Sequence, residues 1–109
     1  HHVLRRRQRQ MCIRDSLIAE ALGDKKVIIL QNHGILTTGP SVDIALWFYT
    51  SMERCCQAQL MADAAGETQL IPHDTAIKTR SFIANDVAAW ASFQPAFDMI
   101  CKKEPDLFD

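Results

Sequence analysis

The stretch VIILQNHGILTTG, Val27 to Gly39, decides the fold. Val27-Ile28-Ile29-Leu30 is a short apolar run, bounded in front by Lys25-Lys26 and behind by Gln31-Asn32. Such a run reads as a strand buried on both faces, of the kind found in sheets covered by helices. Asn32-His33-Gly34 breaks it. Ile35-Leu36-Thr37 then resumes as a second short strand, which Gly39-Pro40 ends. His33 is thereby placed at a strand end, before a glycine that allows a tight backbone turn. Two readings stand at this point. His33 is a polar residue of an ordinary turn, where Asn and Gly abound. Or it is a side chain held out from a fixed base, as a metal ligand must be.

On the N-terminal side, SLIAEALGD pairs Leu17 with Ala21 and Ile18 with Leu22 at helical spacing, with Ser16 placed to cap and Gly23 placed to stop. On the C-terminal side, Ser41 is placed to cap a helix from about Val42 to Ala65, with Asp43 in its first turn and Gly66 just past its end. Ala45, Phe48, Met52, Cys55 and Gln59 share one stripe along it. At 1.5 Å per residue it spans about 36 Å and must cross most of a small domain. Pro72 bars a helix through the segment that follows. Asp74 or Thr75 is predicted to cap a helix over Ala76–Ala84, leaving His73 in a surface loop. A last helical pattern runs through Val87, Trp90 and Ala91, then Phe97, Ile100 and Cys101, and Pro95 is expected to kink or split it. Two strands alone are a marginal unit. The apolar run calls for strands on both sides, so the chain reads as a piece of a larger α/β domain.

At 109 residues, with 48% hydrophobic and 23% charged residues, the chain has the composition of one small globular domain. The net charge of −1 is uneven. Residues 1–16 hold five arginines against one aspartate; the rest holds seven basic and twelve acidic residues, a net of −5. An acidic body argues against nucleic-acid binding. No apolar run reaches the roughly 18 residues of a membrane span. Cys12, Cys55, Cys56 and Cys101 form no CxxC, and reduced thiols in a cytoplasmic protein are expected. Residues 1–16, HHVLRRRQRQMCIRDS, show no periodicity and are expected to be a non-native or disordered leader; RQMCIRDS resembles translated sequencing-adapter DNA.

Other chemistry is sparse. His33 and His73 make no compact ligand motif. Cys55-Cys56 on a helix is read as packing. There is no Walker loop, GxGxxG or GxSxG.

Residues 17–109, above all LGDKKVIILQNHGILTTGPSVDIALWFYTSMERCCQAQLMADAAG, closely resemble the C-terminal half of class II aldolase/adducin family domains. The shared pattern is an apolar strand, N-H-G, a second strand ending in Gly, and a helix opening S-V-D-x-A and running through M-E-R-x-C-x-x-Q. The resemblance implies an α/β fold, part of a three-layer α/β/α domain. It implies a divalent ion, usually Zn2+, held by three histidines, of which His33 would be the third and an upstream H-x-H the other two. Zinc would stabilise the enediolate of retro-aldol cleavage, or of a related epimerase reaction, of a sugar phosphate or hydroxy-carbonyl compound. An upstream glutamate would serve as acid/base. A homo-oligomer, commonly a tetramer, is implied, with neither nucleic-acid nor membrane partners. This chain carries no H-x-H, so it is expected to be an inactive fragment of a metal-dependent parent. The competing expectation is an adducin-like, non-catalytic assembly domain.

Overall fold

The computed structural model describes residues 16–108. The expectation of a foreign leader falls on residues outside these, Ser16 excepted. The element order is α1 (residues 16–22), β1 (Val27–Leu30), β2 (Gly34–Thr37), α2 (Val42–Ala65), α3 (His73–Ile83) and α4 (Asp86–Lys103), closed by a 3-10 turn at Pro105–Phe108. Ser16 is already helical. Gly23 ends α1, its N–H donating to the Ala19 carbonyl at 3.0 Å.

β1 and β2 form an antiparallel hairpin, with Val27 opposite Thr37 and Leu30 opposite Gly34. The expected double burial of β1 is not met. Ile29 is 60% exposed and the other three residues are only partly covered. Among the described residues β1 has one neighbouring strand, so one of its edges is unpaired.

The hairpin is anchored at its Thr37 end. Thr37 Oγ1 donates to the carbonyl of Ala45, in the first turn of α2, at 2.8 Å. Gly39 lets the chain turn this closely: a Cβ there would stand 2.9 Å from Ile44 Cγ2 and 3.0 Å from the Ala45 nitrogen. Lys26, just before β1, pairs with Asp86 at the start of α4 and lies over the Phe48 ring at 4.8 Å. One cation thus joins the hairpin to both long helices.

α2 spans the predicted residues, but its start differs in chemistry. Ser41 occupies the N-cap position without capping a backbone N–H. Asp43 does that work, its Oδ1 accepting from the Ile44 N–H at 3.1 Å. The core is small: Ile44 (7% exposed) and Ala89 (fully buried) are the only buried residues among those described. Both lie where α4 packs on the first half of α2, and there Gln94 Nε2 donates to Asp43 Oδ2 at 3.4 Å. From Glu53 onward every α2 residue but Cys56 is exposed. The predicted stripe therefore fails at Cys55 and Gln59, because no described element lies against that half of the helix. Cys55, Cys56 and Cys101 are free thiols.

α3 begins earlier than predicted. Pro72 holds extended backbone (φ −57°, ψ 140°) and the helix starts at His73, which is thus on a helix and not in a loop. Asn85 serves both neighbouring helices. Its Oδ1 accepts from the Ala88 N–H at 2.9 Å, capping α4, and its Nδ2 donates to the Phe82 carbonyl at 2.8 Å, closing α3. α4 runs unbroken through Pro95. Proline removes one backbone donor there, yet the helix persists on either side.

Candidate functional site

The tip of the hairpin is the three-residue loop Gln31-Asn32-His33. The His33 N–H donates to the Leu30 carbonyl at 3.0 Å, closing a turn whose third residue, Asn32, has φ +61°. Positive φ at that position alone is the pattern of a type II turn, which favours Gly or Asn. Asn32 thus fixes the turn through its backbone conformation. This short turn reverses the chain, so His33 lies at the end of the hairpin opposite the one docked on α2.

The His33 ring is itself held. Its Nδ1 lies 3.0 Å from the Gln31 carbonyl oxygen. A carbonyl can only accept, so Nδ1 is the donor in this contact, and in the neutral ring the lone pair falls on Nε2. The residue is exposed. A neutral imidazole, oriented through one nitrogen and open at the other, is the form a histidine takes as a metal ligand. The donor set is another matter. Among the described residues there is no group of three His, Cys, Asp or Glu able to hold a metal ion. His33 fits one ligand position, and the described residues do not complete a site. His73 is not brought to it.

Beside His33 the surface is concave. Leu17 and Ile18 of α1, Leu30 and Gln31 line an open concavity of about 280 Å³ together with the His33 ring. The helical spacing of Leu17 and Ile18 was legible; their position against the hairpin tip was not. A larger concavity, about 420 Å³, lies on the last turns of α4 at Pro95, Asp98 and Lys102, and shares no residue with this one. No described helix is long and apolar enough to cross a membrane.

Electrostatics single out one group. Asp43 is held below the ordinary carboxylate value of 3.8, chiefly by a hydrogen bond from the Ser41 hydroxyl, with the Ile44 N–H and Gln94 adding to it. It serves the start of α2 and not the hairpin tip.

Comparison with known proteins gives the family. A family model described as the class II aldolase and adducin N-terminal domain matches residues 5–60. The chain is 39% identical over 90 residues to the decarboxylase NovR of Streptomyces niveus, covering 83% of this chain and 33% of that protein. Adducin-related protein 1 of Caenorhabditis elegans is 35% identical over 65 residues, covering 59% of this chain and 9% of that protein. Among solved structures, the L-fuculose 1-phosphate aldolase of Glaciozyma antarctica PI12 superposes with a TM-score of 0.78 at 40% identity, over 82% of this chain and 36% of that one. The chain spans about a third of the length of the first of these relatives and of that aldolase. The hairpin bearing His33 and the first part of α2 fall inside the matched segment, and the chain belongs to the class II aldolase/adducin family.

Proposed function

We propose that this chain is the part of a metal-dependent, class II aldolase-like enzyme that presents one metal ligand, His33. The whole protein then cleaves a carbon–carbon bond of a hydroxy-carbonyl compound or sugar phosphate. One observation carries the reading: Nδ1–H is committed to the Gln31 carbonyl, leaving Nε2 open at the tip of a hairpin within the family-matched segment. A divalent ion bound there, zinc in the first instance, supplies a Lewis acid for the substrate's oxygens. His33 contributes a fixed, neutral nitrogen, and its turn holds that nitrogen in place. The other ligands and an acid/base carboxylate belong, in this reading, to the rest of a protein about three times as long. That rest also completes a three-layer α/β/α domain, in a cytoplasmic homo-oligomer.

The test is metal content. Elemental analysis of the full-length protein should give bound divalent metal, and His33→Ala should lose it while circular dichroism stays unchanged. Metal retained by His33→Ala would reject the assignment. The second reading, an adducin-like assembly domain, draws on the adducin-related relative and on the exposed second half of α2. It predicts a full-length protein without bound metal.

A further inference from the structure

We infer that a second concavity, where the start of the hairpin meets α2 and α3, binds a compact dianion that fastens α3 to the hairpin. This goes beyond the reading of His33 and does not depend on it. Asp24, Lys25 and Lys26 ahead of β1, Phe48 of α2, and Arg80 and Ala84 at the end of α3 line about 290 Å³ of open space. Lys26 and Gln31 stand about 17 Å apart at the rise of a strand, so this concavity and the His33 tip lie at opposite ends of the hairpin. One small ligand does not reach both.

Three cations and one carboxylate belong to this wall. They are not equally committed. Lys26 is engaged by Asp86 and by the Phe48 ring. Lys25 comes within 3.8 Å of Asp24, with the two side chains 70% and 96% exposed. A pair so open to water is weak. Among the described residues the Arg80 side chain has no ion pair and no hydrogen bond. Lys25 and Arg80 are therefore available to a ligand, one from the hairpin side and one from α3. Two cations match two negative charges. The guanidinium fork suits the paired oxygens of a phosphate or carboxylate, and the ammonium adds a point charge. Phe48 and Ala84, both half-buried, offer no side-chain acceptor that would compete.

The position gives such a ligand a consequence. Among the described residues no hydrogen bond or ion pair joins α3 to the hairpin or to α2; its bonds run within itself and to its neighbours in sequence, Pro72, Ala84 and Asn85. A dianion held between Arg80 and Lys25 makes that link.

Inorganic phosphate, malonate and acetate provide the test, titrated into the full-length protein by calorimetry at pH 8 and constant ionic strength. Each titration is repeated in His33→Ala, which separates this site from binding at the hairpin tip. In both backgrounds phosphate or malonate should bind about fivefold or more tighter than acetate, the equivalent of one charge-assisted hydrogen bond. The tighter of the two identifies the head group. Arg80→Gln should remove the margin, and Arg80→Lys should keep part of it. The bound dianion should slow hydrogen exchange in the last turn of α3, and should not do so in Arg80→Gln. Acetate binding as tightly as either dianion, dianion binding absent from His33→Ala, or a margin in His33→Ala that Arg80→Gln leaves intact overturns the inference. Exchange in α3 that does not respond to the bound dianion overturns it as well.

Discussion

His33 Nδ1 and the Gln31 carbonyl oxygen, two residues apart in sequence, lie 3.0 Å apart across the hairpin tip. The contact assigns the tautomer. Long-range proton–nitrogen NMR spectra should show the proton on Nδ1, and added zinc should move Nε2. His33→Ala should weaken metal binding in the full-length protein by more than the roughly 10–100-fold typical of losing an outer hydrogen-bond partner. A proton found on Nε2 would remove the basis for the ligand role.

The turn makes its own prediction. Asn32 has φ +61°, which a β-branched residue adopts only with strain. Asn32→Gly should leave stability nearly unchanged, while Asn32→Val should cost about 1–2 kcal/mol in urea unfolding. Because His33 follows directly, Asn32→Val should also lower metal affinity. Equal stability of the two variants would contradict the turn.

The hairpin and α2 were legible because their signals are local. The alternation of apolar run, Asn-His-Gly and apolar run names a hairpin, and Ser41, Asp43 and Gly66 bracket α2 within its observed bounds. What the residues did not reveal was long-range. Ile29 reads as core by type, yet its exposure depends on what covers its face of the hairpin. Cys55 and Gln59 share a helical face with Phe48, but that face has a neighbour only along the first half of α2. His73 was misplaced because Pro72 favours a helix beginning just after it as readily as a loop. For the site, His33 was visible as a candidate from its strand-end position. The wall of Leu17, Ile18 and Leu30 was not, since helical spacing says nothing about which strand end a helix lies against.

Asp43 gives a pH dependence. Its carboxyl is held below the ordinary value of 3.8, first by the Ser41 hydroxyl. A depressed folded-state pKa contributes stability that is present above the ordinary value and lost as pH falls through the lowered one. Asp43→Asn should therefore be less stable than the parent at neutral pH, and the gap should close in acid below the ordinary carboxylate range. Ser41→Ala should reproduce part of the neutral-pH loss. Urea midpoints across pH measure both, and a gap that persists unchanged into strong acid would show that the charge is not responsible.

Gly39 sets how the hairpin meets α2. The site it leaves is closed: an added Cβ would stand 2.9 Å from Ile44 Cγ2 and 3.0 Å from the backbone nitrogen of Ala45. A side chain can rotate away, but the Ala45 nitrogen belongs to the first turn of a helix and cannot. Gly39→Ala should therefore cost about 1–3 kcal/mol, and trimming Ile44 to Ala in the same chain should not restore it. Gly34 is the control. A Cβ there meets nothing within 4 Å, but its φ is +126°, so Gly34→Ala loses stability through backbone strain and should leave the Ile44 methyl resonances in place. Gly39→Ala should shift them and weaken the bond from Thr37 to the Ala45 carbonyl, visible as loss of order in β2 by hydrogen exchange. Since that bond fixes the end of the hairpin opposite His33, the same variant should loosen the hairpin tip and reduce metal affinity with no change in any residue of the site. Unaltered exchange in β2 would mean that the hairpin is held by other contacts.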